Sequence, residues 1–146
     1  FLKVGKIKVK FLQVPHPPIK ECYAYKFIGS KKIVFSGDTR YFEPLASFSK
    51  KSDVLVHEAI LPKYIDKIVK KTGLSLKLKK HLESSHTKLE EVIKIAKLSN
   101  CKKLIINHLI PNDNTLKQRR VWQKNINNKI NTKVIIGQDK LRIKLS

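Results

Sequence analysis

The chain has 146 residues, enough for one ordinary domain with a core of its own. No run of about 18 apolar residues occurs, which excludes a membrane-spanning helix. The balance of 32 Lys+Arg against 11 Asp+Glu gives a formal charge of +21, which attracts nucleic acid or another polyanion.

Residues 3–14, KVGKIKVKFLQV, set Val4, Ile7, Val9, Phe11 and Leu12 among lysines at nearly period two, and predict one strand with a solvated face that meets Pro15. CYAYKFI at 22–28 alternates Tyr23, Tyr25 and Phe27. With KKIVFS at 31–36 it predicts a hairpin around Gly29 and Ser30. Residues 41–50 suit a short helix with Pro44 early and Leu45 and Phe48 inward. DVLVHEAI, 53–60, reads as a fully buried strand ending on His57 and Glu58.

The lysine-rich stretch 62–83, with Ile65, Ile68, Val69, Leu74, Leu76 and Leu78, predicts a helix followed by a mobile segment. SSHTKLEEVIKIAKLSN predicts a helix capped by Thr87, with Glu90 completing a capping box and Val92, Ile93, Ile95, Ala96 and Leu98 on the apolar face. KKLIINH, 102–108, is a further buried strand ending on a histidine. Residues 115–130 predict a helix packing Leu116 and Trp122, and KVIIGQDKLRIKL a last strand broken by a Gly-Gln-Asp turn. The order of elements gives an α/β fold, a mixed sheet with flanking helices, with no internal repeat and no linker.

The charge excess is mostly lysine, in company with many Ile and Asn, so compositional bias explains it better than a dedicated nucleic-acid surface, for which arginine is the stronger residue. Cys22 and Cys101 lack Cys-x-x-Cys spacing and read as buried thiols of a reducing compartment, the cytoplasm, rather than a disulfide or zinc knuckle. The sequence has no methionine and starts on Phe1, so we expect further chain upstream.

Polar residues recur where strands end: His16, Asp38, the exposed pair His57-Glu58, and His108, with His86 just ahead of a helix. Loops at the strand ends of an α/β sheet converge, so these residues can meet at one edge. His and Asp are ligand types for zinc, manganese or iron, whose chemistry is hydrolytic. A His-Glu pair and one more His add a proton donor for the leaving group. Singly each signal is weak: a lone histidine is more often hydrogen-bonded or solvated, and Gly37-Asp38 alone is turn chemistry. His81, beside lysines and away from any strand end, is assigned no role in a site.

Together VPHPPIKECYAYKF, KIVFSGDT, DVLVHEAI, SSHTKLEEVIKIAK and KKLIINHLIP resemble the second half of the metallo-β-lactamase-fold hydrolases, in the branch of ribonuclease Z and the arylsulfatase-like enzymes. The resemblance runs from about residue 9 to the end of the chain. It implies the C-terminal half of an αββα sandwich, with residues 1–146 one portion of a single domain. The family's His-x-His-x-Asp-His motif is absent and would lie upstream. His16, Asp38 and His108 match three metal ligands, Asp38 being the one that bridges two ions. Glu58 and His86, with His57 in the family's His-Glu-Ala-Thr loop, match the proton-donating residues. Ile60 replaces that loop's threonine, and the His-Ser-Thr loop reads Ser85-His86-Thr87.

The implied activity is a zinc-dependent hydrolase of phosphodiester or sulfate ester bonds, two ions per complete enzyme, with manganese or iron as substitutes. The substrate is an ester, a tRNA precursor in the ribonuclease Z reading. The basic charge favours that reading; VPHPP and HLIPND favour the arylsulfatase-like one. The chain alone is expected to be inactive, to bind metal poorly, and to need its N-terminal half; a homodimer is among the assemblies allowed. The competing classes are a non-catalytic basic nucleic-acid-binding module and an inactive, metal-free relative. Against the module, the aromatics Tyr23, Tyr25, Phe27 and Phe35 fall on strand periods and read as core.

Overall fold

Alternating side chains and glycine turns build the first half of the sheet. The computed structural model describes residues 1–72, 76–112, 115–126 and 130–145. Strands β1 (Leu2–Val4), β2 (Ile7–His16), β3 (Ile19–Ile28) and β4 (Lys32–Phe35) form an antiparallel meander. The predicted single first strand is in fact a hairpin. Gly5, at φ +57°, turns the chain between β1 and β2, a conformation that glycine adopts without a Cβ penalty.

The chain then changes to crossover connections. Strands β5 (Val54–Ile60), β6 (Lys103–Ile110) and β7 (Lys133–Ile136) add in parallel to β4, giving one seven-stranded sheet in sequential order. Helices α1 (Pro44–Phe48), α2 (Pro62–Thr72), α3 (Leu76–Ser85), α4 (Leu89–Ser99) and α5 (Leu116–Ile126) lie in the connections. Helix α1 packs on α4 and β2, α4 on β5, and α5 on β7.

Register separates the sheet into two unlike faces. On one, Val34, Leu55, Leu104 and Val134 stand side by side across β4 to β7. The first three are fully buried in a core with Leu45, Leu89, Val92, Ile95 and Trp122. Each such side chain contributes about 1.5–3 kcal/mol relative to exposure. On the other face, Phe11, Tyr25, Phe35, Val56, Ile105 and Ile135 are paired in one continuous row across six strands. Among the described residues no helix covers the near end of that row, where Phe11, Tyr25 and Phe35 are 57%, 43% and 41% exposed. Towards the far end a 640 Å³ hollow remains between Ile33, Phe35, Val56 and Ile105 and the tail residues Leu141 and Ile143.

Several sequence expectations are corrected. Tyr25 and Phe35 follow the strand period, but their period aims them at the open face rather than into the core. The segment expected to be mobile after the first lysine-rich helix contains a second helix, α3. Leu74, and the side chains of Ile68 and Leu76, lie outside the described residues, as do 127–129 of the last predicted helix. Helix α4 starts one residue later than Thr87 predicts: the Lys88 amide donates to Glu91 Oε2 at 3.0 Å, because Thr87 is engaged elsewhere. Trp122 is buried and donates Nε1–H to the Pro111 carbonyl at 3.0 Å, whereas Leu116 is 75% exposed, at the first turn of α5. Only four residues of the last predicted segment pair as strand β7.

Candidate active site

Three parallel strands deliver candidate residues to the same edge, the C-terminal one. Asp38 follows β4, Glu58 lies near the end of β5, and His108 near the end of β6. Loops converge at that edge in open α/β sheets, so strand order alone brings these residues together. Gly37 makes the first turn. Its φ is +63°, and a Cβ there would lie 2.7 Å from the Tyr23 carbonyl oxygen, so both conformation and close approach require glycine.

His108 reaches the site by a different device. Glu58 pairs with Asn107 and Ala59 with Leu109, leaving His108 as an extra residue in β6, with φ +41°. A bulge re-aims one side chain, and a non-glycine residue in this region is held there by its surroundings. Here it sets His108 Nε2 3.6 Å from Asp38 Oδ2, with both side chains nearly half exposed.

Behind this open pair lies a buried one. Oε1 of Glu58 accepts from the Thr39 amide, the Thr87 amide and His86 Nδ1, each at 3.1 Å. One carboxylate oxygen thus ties together the loop after β4 and the loop before α4. The Thr87 hydroxyl closes the same seam by donating to the Thr39 carbonyl at 2.5 Å. Glu58 Oε2 is buried without a hydrogen-bond partner. Burial pushes the Glu58 pKa up, outweighing these donors, which pull it down. For His86, burial pulls down, but the hydrogen bond and charge of Glu58, with the charge of Asp38, reverse it and raise the pKa.

His57 does not stand beside Glu58 as an exposed partner, as expected from the sequence. It is fully buried, Glu58 is 1% exposed, and β5 continues two residues further to Ile60. Alternation sends the two side chains of the pair to opposite faces of the strand. His57 Nδ1 donates to the Glu58 carbonyl at 2.7 Å, Nε2 has no partner, and burial lowers its pKa to about 4. Ile60, in the threonine's place, is fully buried and donates its amide to the Thr87 carbonyl at 2.9 Å.

His16, at the end of β2, turns Nδ1 to the Ser85 carbonyl at 2.9 Å. A carbonyl only accepts, so Nδ1 carries the proton and Nε2 keeps its lone pair. Rings then follow one another along the edge. Centroids of His16 and His86 are 5.0 Å apart, and those of His86 and His108 5.4 Å. His81, assigned no role from its position in the sequence, stands 6.4 Å from both His16 and His86. The signal that would have found it is its spacing from Ser85, one helical turn.

A lone-pair imidazole, a carboxylate and an accessible imidazole are donors that suit a transition metal. Among the described residues no three His, Cys, Asp or Glu side chains converge to hold one. The His16 Nδ1–H bond to the Ser85 carbonyl fixes the ring's tautomer and orientation.

No protein-family model matches the chain. Ribonuclease Z of Macrococcus caseolyticus is 35% identical over 109 residues, 75% of this chain and 31% of that protein. Among solved structures, the metallo-β-lactamase fold protein YhfI from Bacillus subtilis matches with a TM-score of 0.66 at 25% identity, over 94% of this chain and 48% of its own. The short form of human tRNase Z matches with a TM-score of 0.61 at 18% identity, over 99% and 46%. The chain has the metallo-β-lactamase fold. Within that fold its sequence is similar to stretches of several ribonuclease Z proteins. It spans a third or less of the length of these curated relatives.

Proposed function

We propose that this chain supplies one side of the active site of a metal-dependent phosphodiester hydrolase that trims tRNA precursors, and that the other side comes from a complementary N-terminal segment. The convergence of His16, Asp38, Glu58, His86 and His108 on one sheet edge carries this reading. Likeness to ribonuclease Z and the net charge of +21 favour RNA over a sulfate ester. Two free cysteines accord with a cytoplasmic setting. Among the described residues no helix is long and apolar enough to cross a membrane.

In this reading His16, Asp38 and His108 would be three of the ligands to zinc, or to a manganese or iron substitute. A bound ion supplies a Lewis acid and lowers the pKa of water. The chain's own residues do the remainder. Glu58 accepts a hydrogen bond from His86 Nδ1–H and favours the charged imidazolium, which gives its Nε2 proton to the leaving oxygen and becomes neutral. His57 serves the fold: its bond to the Glu58 carbonyl fixes the strand that carries the carboxylate.

The open row Phe11, Tyr25 and Phe35 is the surface on which the complementary segment packs. An apolar sheet face of this kind is normally buried by a second layer. The chain covers 48% and 46% of the two solved neighbours, which leaves chain enough for that layer. The test is zinc binding and pre-tRNA cleavage by the 146-residue chain, alone and in the complete protein. Weak binding and no cleavage alone, with cleavage of pre-tRNA above that of a small aryl ester when complete, support the reading. Tight binding of two zinc ions by the isolated chain contradicts it.

A further inference from the structure

We infer that His81 is a positioning residue for His16, acting through Ser85. Both His81 and Ser85 belong to α3, one turn apart, so their side chains meet on the same helix face. Ser85 Oγ lies 2.5 Å from the Pro17 carbonyl and 3.2 Å from His81 Nδ1. A hydroxyl has one proton, and the Pro17 carbonyl can only accept, so that proton goes to Pro17. His81 Nδ1–H therefore donates to Ser85 Oγ. Ser85 is then fixed at two points on its side chain, and its main-chain carbonyl accepts His16 Nδ1–H at 2.9 Å.

The result is a short relay: His81 holds the Ser85 side chain, Ser85 pins the turn after His16, and its carbonyl sets the His16 tautomer. Pro17 and His16 are adjacent, so the two bonds from Ser85 grip successive residues at the end of β2. His16 is 7% exposed, with the His86 ring 5.0 Å away, so little else could correct a misrotated imidazole by solvation. Side-chain partners one step removed from a ligand act in this way, by fixing ring orientation and tautomer. That the orientation serves metal binding rests on the function proposed above; the relay itself does not.

The experiment uses the complete protein and reads His16 directly, by long-range 1H–15N NMR of its ring, in metal-free samples. Wild type should show one tautomer, with the proton on Nδ1. His81→Ala should give a mixture of tautomers. His81→Asn, whose amide N–H can replace Nδ1–H, should restore the single form. Zinc affinity should fall roughly 10–100-fold in the alanine variant and recover in the asparagine variant. Ser85→Ala should produce the same mixture, and adding His81→Ala to it should change nothing further. A single Nδ1–H tautomer at His16 in His81→Ala, or additive effects in the double variant, overturns the relay. If instead His16→Ala binds zinc as wild type does, the ligand role of His16 fails while the tautomer result still decides the role of His81.

Discussion

Glu58 Oε1 and His86 Nδ1 lie 3.1 Å apart, inside the protein, with the Thr39 and Thr87 amides on the same oxygen. A carboxylate in that position serves two purposes at once. It holds two loops at a common point, and it favours the charged form of the imidazole it touches.

The pair sets the first expectation. Because the His86 pKa is raised by Glu58, its proton is retained at a higher pH than a free imidazole allows, and proton donation fails as pH rises through that raised value. In Glu58→Gln the alkaline limb of the pH–rate profile should move to lower pH. Activity of the complete protein should fall roughly 10²- to 10⁴-fold. An unmoved limb would remove Glu58 from the proton-donating pair.

His57 makes stability depend on pH. Its pKa falls from 6.5 to about 4 on burial, so between those values the unfolded chain binds a proton that the folded chain refuses. Stability is full above 6.5 and is lost as pH falls towards 4, by about 3 kcal/mol in all. Urea midpoints of wild type and His57→Gln, measured across this window, should differ in slope, the variant being flatter.

Gly37→Ala should be costly for a surface-loop change. The positive φ costs about 1–3 kcal/mol for a residue with a Cβ, and the added atom would lie 2.7 Å from the Tyr23 carbonyl oxygen. Thermal unfolding should show the loss. Asp38 follows directly, so zinc affinity of the complete protein should fall with it.

The open face makes a different demand. Replacing both Tyr25 and Phe35 by lysine should leave the helix-covered core intact, since both side chains point away from it. The same pair of changes should abolish recovery of the complementary segment when the two pieces are expressed separately and co-purified. Undiminished co-purification would place the contact elsewhere.

How much of this was legible beforehand follows from what each residue depends on. Strand β5 and helix α4 announced themselves, because a largely apolar seven-residue run and a 3.6-residue period are local properties. Asp38, His86 and His108 could be picked out by position. What brings His108 to Asp38 is a bulge, and a bulge is a register property of two strands that neither sequence declares alone. The burial of His57 follows from its place in the alternation of a strand covered on both faces, which a reading of His-Glu as an exposed pair ignored. Tyr25 and Phe35 show the converse error, since period two says that residues share a face but not which face is covered. His81 and Ser85 matter through a turn after β2, where Ser85 meets Pro17 across a sequence separation of 68 residues that spacing rules do not reach.

The most direct test of the whole account is 3′-end cleavage of a tRNA precursor by the complete protein, comparing wild type with Asp38→Ala after chelation and readdition of zinc. Chelation should abolish cleavage, and zinc should restore it to wild type but not to the variant, whose unfolding transition should stay close to wild type because Asp38 is nearly half exposed. Zinc-restored cleavage by Asp38→Ala at the wild-type rate would contradict the assignment of this sheet edge as the hydrolytic site.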